Sequence, residues 1–211
     1  MFAFSAIDFE TTGAVPGFPN EPWQVGVVSV HADDPTIRHP SPVTRHPSPV
    51  TRHPSLVTRH STFESLLRVS PDRPFNKWAP GRHARIRAEL AEAPALPDLW
   101  PELAPRLAGP VVAHNAGTER SLLQASAPLH VPGPWIDTLA LARRAWPAAP
   151  SHALEDLVPA LGLLPRLQAL VPGREPHDAL YDAAACALLL LHLLDQSGWG
   201  SLSPDELAAI R

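Results

Sequence analysis

Residues 2–14 read FAFSAIDFETTGA: an apolar, alternating run that ends on two carboxylates, Asp8 and Glu10, followed by Thr11-Thr12-Gly13. Phe2–Phe9 alternates as a strand does, and residues two apart on a strand point to the same face. Asp8 and Glu10 therefore project together, beside the turn expected at Thr-Thr-Gly. A strand interior excludes carboxylates, which leaves two readings. Either the strand frays into a polar turn, or the pair is half of a metal site, since hard divalent ions such as Mg²⁺ and Mn²⁺ take carboxylate oxygens. A D-x-E at a strand end is common by chance, so the remainder of the chain has to decide.

The chain has 211 residues, enough for one domain with a full core, and its net charge is −4. Lys77 is its only lysine, and its single cysteine, Cys186, rules out an internal disulfide framework. Cys186 lies in the apolar run AAACALLLLHLL, where a buried, inert thiol is expected. That run is too short to cross a bilayer, which takes about 20 residues. The N-terminus reaches Asp8 without a positively charged leader, so a cytoplasmic protein is expected, with no membrane association. No overall basic field advertises nucleic acid. A site that handles phosphates in this acidic body would need cations.

Residues 39–59 form a heptad repeat, HPSPVTR-HPSPVTR-HPSLVTR. Its prolines forbid the coiled coil that a period of seven suggests, and its composition cannot build a core. It reads as a low-complexity insert at about 35–62, either a duplicated segment without function or a basic tether for phosphate backbones. Around it runs an α/β rhythm in a single domain, residues 1–211. Strands are expected at Phe2–Phe9, Trp23–His31, Phe63–Val69, Val111–His114 and Trp135–Asp137. Helices are expected at Arg82–Ala91, Leu96–Leu107, Thr118–Ala127, Thr138–Trp146, Ala153–Leu161, Asp178–Leu194 and Ser203–Ile210. The order predicts a mixed sheet covered on both faces.

Two further pieces carry chemistry. In VVAHNAGTERSLL (111–123) a buried strand ends at His114-Asn115, and Glu119 lies one turn into the next helix. In HDALYDAAACALLL (177–190), His177 precedes a long helix and Asp182 sits in its early turns. Taken singly, acids near a helix N-terminus are explained by the helix dipole. Taken together and in order, the three pieces resemble the motifs of the DEDDh family, the DnaQ-like 3′→5′ exonucleases that include the epsilon proofreading subunit of bacterial replicative polymerase. D-F-E-T-T-G is met letter for letter by Asp8 to Gly13. A-H-N-A is met by Ala113 to Ala116, with Glu119 where the family usually has Asp, and H-x-x-x-x-D is met by His177 and Asp182. Ile136-Asp137-Thr138 and His152 to Leu157 add likeness, and His83-Ala84-Arg85-Ile86 resembles the family's H-G-I-T weakly.

The resemblance implies a ribonuclease-H-like α/β fold, with a five-stranded mixed sheet flanked by helices on both faces. It implies a 3′→5′ exonuclease acting on single-stranded DNA or short RNA ends with two Mg²⁺ or Mn²⁺ ions about 3.5–4 Å apart. Asp8, Glu10, Glu119 and Asp182 would be the metal ligands and His177 the general base, whose ordinary pKa lies near working pH. Thr11, Thr12, His114 and Asn115 would bind the 3′-terminal nucleotide. Phe9 and Trp78 are read as core or lid packing, with base stacking as the alternative. The chain ends at Arg211 with no tail to support polymerase association. The longer Glu119 side chain favours the main alternative, a degenerate exonuclease-fold domain that binds nucleic acid or a partner protein without cleaving. An unrelated α/β binding protein would make three ordered motifs a coincidence.

Overall fold

The computed structural model describes residues 2–31, 59–77 and 86–211. The repeat up to Thr58, Trp78 and His83-Ala84-Arg85 lie outside them. Five strands form one sheet: β1 (Phe4–Thr11), β2 (Pro22–His31), β3 (Arg59–Leu66), β4 (Val111–Ala113) and β5 (Trp135–Asp137), in the order β3-β2-β1-β4-β5. β1 and β2 pair antiparallel, as do β2 and β3, while β1 with β4 and β4 with β5 are parallel. This is the mixed sheet the sequence predicts.

The helices are α1 (Arg87–Glu92), α2 (Trp100–Arg106), α3 (Gly117–Ser126), α4 (Thr138–Ala145), α5 (Leu154–Ala160), α6 (Leu164–Leu170), α7 (Ala179–Leu194) and α8 (Pro204–Ala208). Several bounds differ from expectation. The third strand begins at Arg59, inside the repeat's last unit, because the ladder continues to the pair His31↔Arg59. The helix expected over Leu96–Leu107 starts as a 3₁₀ turn, Leu96–Leu99, before α2. α6 is an additional helix, with Pro165 in its first turn.

The alternation of β1 separates two cores. Phe4 and Ala6 face a core with Val28, Val112, Ile136 and most of α7. Ile7 and Phe9 face the other, with Val25, Val27, Leu103, Leu107 and Leu123. Phe9 is thus core, not a stacking platform. α7 is buried all round except at Asp182 and His192, which explains its uniformly apolar sequence. It packs across β1 and β2, and its first turn rests on Gly26. A Cβ on Gly26 would stand 2.3 Å from the carbonyl carbon of Ala179 and from the amide nitrogen of Leu180. Gly26 is also the ladder partner of Asp8. The glycine therefore lets the N-terminus of α7 sit directly over the carboxylate end of β1. Among the described residues no helix is long and apolar enough to cross a membrane.

Candidate active site

Asp8 and Glu10 continue the Phe4–Ala6 stripe, so the face of β1 that is apolar at its start carries carboxylates at its end. The ladder changes register between Glu10 and Thr11, where the strand leaves the sheet. Glu10 is buried and Asp8 half-buried. Burial pushes the Asp8 carboxyl well above its ordinary range, and the charges of Asp182, Glu119 and Glu10 add to the effect. Burial, then Asp182 and Asp178, raises Glu10 to about 8. The four acids named by the sequence motifs therefore share one low-dielectric locus.

Glu119 enters from the first turn of α3 and is 4% exposed. Its Oε2 is buried and has no hydrogen-bond partner. Burial raises this carboxyl to about 7, and Asp137 adds to the rise. Asp182 enters from α7, where burial lifts it to about 6, against the pull of a hydrogen bond from the His177 backbone N–H at 3.0 Å.

His177 is exposed and adopts a left-handed backbone, φ 65°. A non-glycine residue there is uncommon and marks local strain. Its ligand atom and those of Glu10 and Asp182 lie within 4.8 Å of one another. Glu155 of α5 stands 3.7 Å away from Nε2. The loop is tied down on its other side by Arg174, which donates to Asp178 Oδ2 at 2.7 Å and also bonds Glu64 of β3. Asp178 caps α7 by accepting from the N–H groups of Leu180 and Tyr181, and it also accepts from Gln24 Nε2 at 3.2 Å.

Two of the predicted substrate contacts have other employment. Thr12 is fully buried, and its Oγ1 accepts from Glu21 N at 3.1 Å and from Arg73 Nη2 at 3.4 Å. Its side chain builds the turn. His114 lines the cavity, but Nε2 is 2.9 Å from the carbonyl of His152 and Nδ1 is 3.0 Å from Thr138 Oγ1. The carbonyl only accepts, so Nε2 carries a proton, and burial lowers the ring's pKa. Both nitrogens are committed to holding α4 and the α5 approach. Thr11 remains half-buried beside the site, its carbonyl accepting from Trp23 Nε1 at 3.1 Å. Asn115 lines the cavity in a left-handed conformation, φ 67°. That turn is held by Asp137, whose carboxylate accepts from the N–H groups of Asn115 and Ala116 at 2.9 and 3.2 Å and caps α4 through Leu139.

Sequence reasoning assigned no site role to Gly26, Asp137, Glu155 or Arg174. Asp137 sits in a noted D-T pair, but two of its three partners, the Asn115 and Ala116 N–H groups, are far away in sequence. Cys186 is buried and packed on Thr138, and burial pushes its thiol well up, in keeping with an inert core cysteine.

Beside the carboxylates opens a cavity of about 610 Å³, lined by Asp8, Asp182 and His177 and continuing along α4 and α5. A cluster of hard oxygen donors, one of them buried without a partner, fits divalent cations.

Over 132 residues the chain is 35% identical to exodeoxyribonuclease 10 of Escherichia coli strain K12, a match that spans 62% of this chain and 54% of that protein. The chain is homologous to exodeoxyribonuclease 10. It spans about half the length of the curated relatives it matches, the same protein from a second Escherichia coli strain included. The nuclease domain of 3′hExo, a DEDDh family member, bound to rAMP, superposes with a TM-score of 0.63 at 14% identity, covering 93% of this chain and 94% of that one. Escherichia coli exonuclease I in complex with a 5cy-dA13 oligonucleotide superposes with a TM-score of 0.57 at 12% identity, covering 93% of this chain and 41% of that one. The fold is therefore the ribonuclease-H-like fold of the DEDDh exonucleases. No family model matches the chain.

Proposed function

We propose that the protein is a divalent-metal-dependent 3′→5′ exonuclease that removes nucleotides from single-stranded DNA or short RNA ends. The observation that carries this reading is the convergence of Asp8, Glu10, Glu119 and Asp182, with an unpartnered buried oxygen on Glu119, beside a strained and exposed His177. Deoxyribonucleic acid ranks first as substrate by similarity to an exodeoxyribonuclease, and structural neighbours in complex with an oligonucleotide and with rAMP support a nucleic-acid ligand.

Asp8, Glu10, Glu119 and Asp182 would hold two ions, Mg²⁺ or Mn²⁺. Bound there, they would activate a water and offset charge developing on the scissile phosphate. His177 accepts the proton of the attacking water on its imidazole. Glu155 stands 3.7 Å from its Nε2. The His177 N–H bond to Asp182 fixes the spacing between base and ligand. Thr11 and Asn115 border the place of the terminal nucleotide. Four mutually repelling carboxylates lower the stability of the metal-free fold, which supports catalysis over a degenerate binding domain.

Incubating the protein with a 5′-labelled oligonucleotide and Mg²⁺ or Mn²⁺, beside Asp8→Ala, tests the reading. Stepwise shortening that disappears in the variant and in chelator is expected. Absence of shortening with either ion overturns it.

A further inference from the structure

We propose that Arg143 is a substrate-binding residue that grips the backbone phosphate next to the scissile one in a single strand, an assignment that rests on the exonuclease reading. The cavity beside the carboxylates is lined by Asp8, Asp182 and Glu155, by apolar side chains such as Leu139 and Leu154, and by Arg143, its one guanidinium among the described residues. Leu139 and Arg143 are one turn apart on α4, so they share a helix face. That face is aimed by Asp137, which joins the start of α4 to the Asn115 turn.

Arg143 is also uncommitted. Arg73 is paired with Glu21, Arg106 with Glu102, and Arg174 with Glu64 and Asp178, while Arg87 donates to main-chain carbonyls. Arg143 has no hydrogen bond or ion pair among the described residues, and it is exposed at the cavity wall. The neighbouring Arg144 faces elsewhere, lining a separate cavity with Trp199 and Glu206. Ions at the carboxylates can offset only the phosphate they contact. In a chain of net charge −4, the next phosphate along the strand requires a cation of its own. Arg143 supplies one, with the fork of donors suited to phosphate oxygens. The apolar lining, Leu139 and Leu154, suits the face of a base or sugar.

The test compares wild type, Arg143→Ala, Arg143→Lys and Arg144→Ala. A fluorescent single-stranded DNA oligonucleotide is titrated by anisotropy in Ca²⁺ at several salt concentrations, and the same strand is followed through steady-state cleavage in Mg²⁺. Arg143→Ala is expected to weaken binding and raise KM about tenfold, the loss of one charge-assisted contact. Its log–log salt slope should be shallower by about 0.7, the value for one single-strand phosphate. Arg143→Lys should restore that slope, and Arg144→Ala should match wild type, with melting temperatures unchanged. Equal affinities and equal salt slopes for wild type and Arg143→Ala overturn the assignment. So does a fall in kcat at constant KM, which would put Arg143 on the reacting phosphate instead. Failure of the wild type to shorten the strand overturns the exonuclease reading alone, because anisotropy reads binding without turnover.

Discussion

The carboxylate cluster makes the metal-free protein less stable as pH rises, and removing one of its acids should stabilise it. Glu10 is the sharpest case, because it is buried and its carboxyl rises to about 8 from an ordinary 4.5. Below pH 4.5 the group is protonated whether the chain is folded or unfolded, and it contributes no penalty. Between 4.5 and 8 the unfolded chain releases its proton while the fold retains it. The folded state then binds more protons, and stability falls with increasing pH. Above 8 the penalty is complete. A shift of that size corresponds to about 5 kcal/mol, and relaxation with water entry reduces it to about 2–5 kcal/mol. Glu10→Gln removes the charge at nearly constant shape. In chelator at pH 8.5 it should raise the melting temperature by about 5–15 °C, at about 2–4 °C per kcal/mol for a domain of this size.

The assay is thermal unfolding of wild type and Glu10→Gln from pH 5 to 9, with chelator and again with Mg²⁺. Wild type in chelator should lose stability steadily above pH 5 and recover it on adding the ion. Glu10→Gln should lose less stability with pH, respond less to Mg²⁺, and fail to cleave. A wild-type curve flat across this range, or a Glu10→Gln protein less stable than wild type in chelator at pH 8.5, would refute the reasoning that these carboxylates repel one another in a dry site.

Gly26→Ala should destabilise the fold by about 1–3 kcal/mol or more, since the new methyl meets main chain that cannot step aside. Its activity should fall further than its melting temperature explains, because Asp182 and His177 shift away from Asp8. Arg174→Ala should lower kcat about tenfold by loosening the His177 loop, and this loss should vanish in a His177→Ala background; a full additional loss there would place Arg174 outside the base's support. Replacing residues 32–58 with a four-residue turn should preserve the fold, because His31 and Arg59 already pair across the sheet. Oligonucleotide affinity at several salt concentrations then reads the tether directly: weaker binding with a shallower salt dependence supports it, and unchanged binding removes it.

The sheet, the long apolar helix and the carboxylate cluster were legible in the sequence because each has a local sign. Period-2 alternation marks β1, unbroken apolar length marks α7, and carboxylates interrupting either one stand out. α6 was missed because Pro165 reads as a breaker when its place in the first turn is not known. The start of β3 was hidden because the residues up to Phe63 share the composition of the repeat, while their pairing is dictated by β2. What the sequence could not show at Thr12 and His114 has a common cause. A motif specifies which residue stands at a position, but not which way its polar atoms are spent. His114 is satisfied by Thr138 and His152, and Thr12 by Glu21 and Arg73. Those partnerships exist only after the strands and loops have met.

Glu119 shows the same limit from the other side. From the sequence, its extra methylene was the strongest reason to doubt catalysis. In the fold, the longer side chain ends in a buried oxygen without a partner, at the locus where the charges of Asp8, Glu10 and Asp182 converge. An unpaired buried carboxylate oxygen costs stability, and a purely structural residue would relieve that cost by turning to a donor or to solvent. The α3 turn instead holds it in place, 4% exposed. Its charge acts on Asp8 there. The cost of the unpaired oxygen is intelligible if Glu119 is a metal ligand, as proposed, and that argument does not depend on its place in a motif.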